Sequence, residues 1–189
     1  MTTFVIVPGI DGSGPDHWQT RWQADLPAVR FEPSSWSEPD LDDWQAALDA
    51  AVSSVDDAVL VTHSLGCLAA AAWLLDHPGR VSGAFLVAPP DPDGPQFPRA
   101  APSFVRGYPG PLPSPALVVA SANDPYCTLA AARRQGRTWR AGLVVTGDDG
   151  HLNADSGLGA WPTGRSLLAA FCAGLGVGMP TSPAQDAQR

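Results

Sequence analysis

The stretch Val59-Leu60-Val61-Thr62-His63-Ser64-Leu65-Gly66-Cys67-Leu68 holds the residues best suited to chemistry. An apolar, β-branched run leads into Ser64, and an Ala- and Leu-rich helical pattern leads out of it. A serine on a sharp strand-to-helix turn presents its hydroxyl beside the unpaired N–H groups of a helix start, where negative charge is stabilised. Strand and helix approach closely at such a turn, so small residues are needed around the serine, and Gly66 supplies one two positions after it. Thr62 stands two positions before it, where glycine is usual, so the match to Gly-x-Ser-x-Gly is partial. The Leu65 N–H is the expected first donor to an oxyanion. The competing reading is a plain helix N-cap, the commonest reason for a serine in front of a helix.

A hydroxyl is a poor nucleophile until a base takes its proton. All 11 Lys+Arg residues are Arg, so with no lysine the base must be His17, His63, His77 or His151. His77 ends a helical pattern in Asp76-His77-Pro78-Gly79 and is expected at the surface. His63 adjoins the serine and is expected to point away from it at the end of an extended strand. His17 opens the first helix close to the end of the first strand and is expected in the cleft. His151 follows the last strand in the Gly-flanked turn Gly147-Asp148-Asp149-Gly150-His151-Leu152-Asn153. That turn falls on the edge of a parallel sheet where sites are built.

The acid that orients the base needs the same address. Asp124, in Ser121-Ala122-Asn123-Asp124-Pro125-Tyr126, lies just past the fifth strand. It is preferred over Asp148, Asp149 and Asp155, which crowd His151, and over a role as a turn former before proline. The second oxyanion donor is expected in the Gly-rich loop Val7-Pro8-Gly9-Ile10-Asp11-Gly12-Ser13-Gly14, at the Ile10 N–H. A phosphate-cradling use of the same glycines is weaker, because their spacing is not that of a dinucleotide loop and no basic residue accompanies them.

Elements must bring these residues to one edge. Buried strands are expected over 4–7, 58–61, 81–87, 116–120 and 143–145, with a weaker edge strand over 29–32. Helical patterns run over 17–26, 41–52, 65–75, 128–137 and 165–175, with Asp16 and Asp40 as candidate caps for the first two. Alternation of strands and helices predicts a three-layer α/β/α sandwich with a mostly parallel six-stranded sheet. A single domain is expected over 1–176 and a flexible tail over 177–189. The segment 88–113 carries nine prolines without periodicity, long for a connection inside a compact domain. Phe97, Phe104 and Tyr108 within it are candidate walls of a substrate pocket. Trp18, Trp22, Trp44 and Trp73 fall at helical spacing and are read as core, whereas Trp36 and Trp161 are pocket candidates.

Composition removes other chemistries. Without lysine there is no Schiff base, no pyridoxal-phosphate site, no P-loop and no Ser-x-x-Lys nucleophile. A net charge of −8 argues against nucleic acid. Cys67, Cys127 and Cys172 form neither a disulfide framework nor a zinc ribbon. No apolar run is long enough for a signal peptide or a membrane span, so a cytoplasmic protein is expected. Metal-assisted hydrolysis through Asp148, Asp149 and His151 lacks the ligand count of a zinc site, and no metal or cofactor is expected.

The chain resembles the α/β-hydrolase superfamily, and more narrowly the small lidless serine hydrolases that include YdeN-type proteins and the retinoblastoma-binding serine hydrolase. The resemblance rests on Val5-Ile6-Val7-Pro8-Gly9, His17-Trp18 with Trp22, Thr62-His63-Ser64-Leu65-Gly66, Ser121-x-x-Asp124-Pro125-Tyr126 and Gly150-His151-Leu152-Asn153. It spans nearly the whole chain. It implies a minimal hydrolase sheet of order 2-1-3-4-5-6 and a crevice where that order reverses. Together these readings point to a Ser64-His151-Asp124 triad acting on small carboxylic esters, with amides as a variant, in a monomer or small homo-oligomer. A binding or scaffold protein on the same fold is the alternative.

Overall fold

The computed structural model describes residues 1–179. Six strands, β1 (Thr3–Val7), β2 (Ala28–Arg30), β3 (Ala58–His63), β4 (Gly83–Val87), β5 (Ala116–Ala120) and β6 (Gly142–Val145), form one sheet of order β2-β1-β3-β4-β5-β6. Every pairing is parallel. The order reverses between β1 and β3, as the resemblance implies. Among the described residues there are five α-helices, α1 (Trp18–Asp25), α2 (Leu41–Ser53), α3 (Leu65–Asp76), α4 (Leu129–Trp139) and α5 (Pro162–Leu175), the first four lying between strands and the fifth following β6.

Side-chain alternation along the strands builds two cores. Val5, Val7, Leu60, Leu86 and Val118 face α2, α3 and Trp139 of α4. Phe4, Ile6, Val59, Val61, Phe85, Val87 and Val119 face α1 and α5, against Trp18, Trp22, Leu168 and Cys172. Both faces are covered, so these strands read as unbroken apolar runs rather than alternating ones. Helix α3 is buried from Leu65 through Leu74, which explains its lack of a polar stripe.

Several boundaries shift for local reasons. Sheet pairing of β4 begins at Gly83, two residues later than expected, while Ser82 turns its hydroxyl to Asp57 at 2.6 Å. A Cβ at Gly83 would collide with Leu175 and Phe171 of α5, so this glycine sets how closely α5 lies on the sheet. His17, not Asp16, caps α1, its ring Nδ1 accepting the Gln19 N–H at 3.2 Å. Asp40 caps α2 as expected, accepting from Asp42 and Asp43. Helix α5 starts earlier than predicted, with Pro162 in its first turn.

The segment 88–113 is the main departure. Its later part does not reach the cleft at the end of β3 but seals the α2–α3 side of the core. Phe104 is fully buried against Trp44, with ring centroids 5.5 Å apart, and the Tyr108 hydroxyl donates to the Phe104 carbonyl at 2.9 Å. Phe97 packs against the same core. Burying aromatic area outweighs leaving it at a cleft mouth. Trp36 likewise packs with Phe31 and Trp44, and Trp161 stacks on Trp22 at 5.8 Å on the opposite face. Of the expected tail, Val177 and Met179 pack against the core, and residues 180–189 lie outside the described residues.

Candidate active site

Ser64 is the residue between β3 and α3. Its backbone adopts φ 53° and ψ −126°, a conformation that costs a non-glycine residue roughly 1–3 kcal/mol and is held only where the surroundings enforce it. Its N–H donates to the Val87 carbonyl at 2.9 Å, and its own carbonyl accepts the Cys67 N–H at 2.9 Å. Its side chain makes no capping bond, so the N-cap reading falls. Gly66 lies against the end of β1, where a Cβ would collide with the Val7 and Pro8 carbonyl oxygens. Thr62 is accommodated because its hydroxyl turns inward, donating to Cys67 Sγ at 3.0 Å. Cys67 is itself buried, and its thiol is pushed up to about 12 mainly by desolvation, so it is no rival nucleophile.

Ser64 Oγ lies 2.8 Å from His151 Nε2. His151 Nδ1 lies 2.9 and 3.0 Å from the two Asp124 carboxylate oxygens. An ionised carboxylate only accepts, so Nδ1 carries the proton and Nε2 is free to accept from the serine. The Asp124 side chain is 2% exposed, and its Oδ1 also accepts the Tyr126 N–H at 2.9 Å. The loop after β5 grips the His151 turn directly. Ser121 Oγ accepts the Asp149 N–H at 2.9 Å and Asn123 Oδ1 accepts the Gly150 N–H at 2.7 Å. Asp148, Asp149 and Asp155 are not the partners of the histidine ring. Among the described residues, no group of three or more His, Cys, Asp or Glu side chains is placed to hold a metal ion.

A cleft of about 450 Å³ opens above Ser64, lined by the Gly9–Gly14 loop, His17, His63, Tyr126, His151 and the prolines Pro90 and Pro98. The neighbours of Ile10 in that loop are engaged: the Asp11 N–H donates to Trp36 and the Gly12 N–H to Gly9. Among the described residues, the N–H groups of Ile10 and Leu65 have no backbone acceptor, which leaves them free for a ligand oxygen. His17 lines the cleft as expected, whereas Phe97, Phe104 and Tyr108 do not. The prolines of the 88–113 segment, not its aromatics, reach the site.

Two further residues escaped the sequence. His63 does not simply point away; its Nε2 lies 2.9 Å from the His151 carbonyl, and the rings of His17 and His63 meet edge-on at 4.7 Å. Burial lowers both imidazoles, His17 to about 4 and His63 well below the usual histidine range, with the neighbouring His151 adding to both shifts. Both are therefore neutral beside the His151 ring. Gln19 is fully buried, its amide donating to the Val61 and Val7 carbonyls at 3.0 and 3.3 Å and accepting from Ser13 at 2.6 Å. It ties the Gly-rich loop to the end of β3. Its only sequence signal is a polar residue inside an apolar helical pattern.

The serine hydrolase family profile matches residues 4–170. This chain belongs to the serine hydrolase family. A YdeN-like hydrolase from Pectobacterium atrosepticum is 32% identical, with a TM-score of 0.81 over 95% of this chain and 94% of that one. The ydeN product of B. subtilis is 22% identical, with a TM-score of 0.75 over 91% and 98% of the two chains. Est1E of Butyrivibrio proteoclasticus, solved with ferulic acid bound, shares the fold at 15% identity, a TM-score of 0.70 and coverage of 92% and 90%. No curated protein matches significantly. This serine hydrolase is thus a small α/β hydrolase, and among its described residues no helix is long and apolar enough to cross a membrane.

Proposed function

We propose that this serine hydrolase cleaves small carboxylic esters through an acyl-enzyme on Ser64. The observation that carries the reading is the unbroken line from Ser64 Oγ through the His151 ring to the buried Asp124 carboxylate, with bonds of 2.8 and 2.9 Å. His151 Nε2 takes the hydroxyl proton as Oγ adds to the ester carbonyl. The carbonyl oxygen becomes an oxyanion between the Ile10 and Leu65 N–H groups at the positive end of α3. Asp124 stabilises the imidazolium and holds its tautomer. His151 then hands the proton to the departing alcohol, and the acyl group stays on Oγ. Water, deprotonated by the same nitrogen, attacks the acyl carbonyl, and the second tetrahedral intermediate collapses to release the acid.

Among the described residues no arginine lines the cleft, and the chain has no lysine, so neutral acyl groups suit it better than anionic ones. Est1E, solved with ferulic acid bound, lends support only through its fold. Ester is favoured over amide as a test substrate because an alcohol leaves more readily than an amine. The test is a fluorophosphonate probe together with an ester and amide panel, run on wild type and Ser64→Ala with EDTA present. Labelling and turnover that vanish in Ser64→Ala support the triad; equal labelling of both proteins overturns it. A wild type that hydrolyses nothing in the panel returns the chain to the binding-module reading.

A further inference from the structure

The turn that carries the base has positive φ at three places, Gly147 at 107°, Gly150 at 59° and Leu152 at 51°. Glycine takes such angles freely, but at Leu152 they persist only when the surroundings over-determine them. The outer side of the turn is held by the Ser121 and Asn123 side chains described above, which fix it to the loop after β5 but not to the nucleophile. The inner side is held differently. The carbonyl of His151 is 2.9 Å from His63 Nε2, and the next carbonyl, that of Leu152, accepts the Trp18 indole N–H at 2.8 Å. A carbonyl only accepts, so Nε2 of His63 carries the proton and donates. Both ring donors are buried, His63 at 5% and Trp18 at 1% exposure.

We infer that His63, with Trp18 as its counterpart, is a positioning residue for the hydrolytic reaction: the two ring N–H groups hold consecutive carbonyls of the base's turn and so set His151 Nε2 against Ser64 Oγ. This rests on the triad reading proposed above. His63 is bonded covalently to Ser64, so its hydrogen bond fastens the base's backbone to the nucleophile's own peptide unit. Trp18 brings the first turn of α1 into the same fastening. Burial keeps the His63 imidazole neutral, so it adds no positive charge beside a ring that must itself become an imidazolium during the reaction. The His63 ring also borders the cleft, but its part in the reaction on this reading is played through His151.

The test separates position from packing. His63→Phe keeps a ring of similar volume and removes the donor, while His63→Gln keeps an amide N–H near the place of Nε2. With p-nitrophenyl acetate, His63→Phe is expected to lower kcat by about 10- to 100-fold, the scale of a misplaced reacting group, with KM within about threefold. The rate of fluorophosphonate labelling at Ser64 falls in parallel, and His63→Gln recovers most of both losses. Trp18→Phe, which removes only the second donor, is the independent variant should His63→Phe melt below the assay temperature, and a loss of about tenfold or more is expected there. Wild-type kcat and labelling in a folded His63→Phe overturn the inference, as does a His63→Gln as slow as the phenylalanine variant. If His63→Phe does not fold, an unimpaired Trp18→Phe overturns it instead. A wild type that the probe does not label overturns the triad reading and this inference together, whereas a labelled wild type with undiminished variants overturns this inference alone.

Discussion

Gly9 faces Ser64 so closely that a Cβ on the glycine would lie 2.8 Å from the serine Cβ and 3.2 Å from its Oγ. The loop that offers the Ile10 N–H must pass over the nucleophile with backbone alone. Gly9→Ala is therefore expected to push this loop off Ser64 and carry the Ile10 amide with it. A lost oxyanion donor lowers kcat by roughly 10²- to 10³-fold. The atom met first is the serine Cβ, which its own backbone fixes, so the loop itself must give way, at a cost in folding of about 1–3 kcal/mol, the range for overpacking. Steady-state kinetics and a denaturant melt of the same preparation check both parts; near-wild-type kcat would sink the assignment of Ile10.

Gly66 is constrained from the other side, and its failure takes a different form. The atoms its missing Cβ would meet are the carbonyl oxygens of Val7 and Pro8, backbone that cannot turn away. Gly66→Ala is expected to cost about 3 kcal/mol of stability, the upper end for overpacking, because either β1 or α3 must move. Equilibrium urea unfolding measures it. A loss below about 1 kcal/mol would show that the strand–helix contact is looser than described.

What the sequence made legible, and what it hid, divides along physical lines. Ser64, Asp124 and His151 could be found because each sits on the turn or loop that follows an apolar strand, and strand ends of a parallel sheet converge on one edge whatever the packing details. The sheet itself was readable because both faces are buried. The expected pocket walls failed because aromatic residues in a long proline-rich segment look alike whether they close a core or line a cleft. Phe104 goes to Trp44 because α2 leaves an aromatic surface to cover, which no local pattern announces. His63 and Gln19 were missed for a related reason. Their partners are carbonyls of His151, Val7 and Val61, and the backbone of another element carries no sequence signal.

Asp124 has one oxygen already committed. Its Oδ1 accepts the Tyr126 N–H, so an asparagine at this place keeps its carbonyl there and turns its NH₂ toward His151 Nδ1. That nitrogen must then accept, the proton moves to Nε2, and the ring can no longer take the serine proton. Asp124→Asn is expected to lower kcat by on the order of 10⁴-fold, the scale of a wrong-tautomer triad. Melting should change little, since the substitution keeps shape and the Tyr126 bond. A kcat within about tenfold of wild type would mean that another carboxylate orients the ring.

His17 links the cleft to acid sensitivity. In the folded protein its imidazole is depressed to about 4 by burial, with Arg30 and His151 adding to the shift, while in the unfolded chain it titrates near 6.5. Between those values the unfolded chain binds a proton that the folded one refuses, so stability is full above pH 6.5 and falls as pH drops toward 4. One such group contributes a slope of about 1.4 kcal/mol per pH unit, and buried His63 adds a second in the same direction. His17→Asn removes the first without removing the cap, because an asparagine oxygen can accept the Gln19 N–H in place of Nδ1. Urea unfolding at pH 7 and pH 5 should therefore show a shallower fall for His17→Asn than for wild type, by about 1 kcal/mol per pH unit. Equal slopes would mean that His17 is protonated in the folded protein, and with a charged His17 beside His151 the neutral cleft described above would not hold.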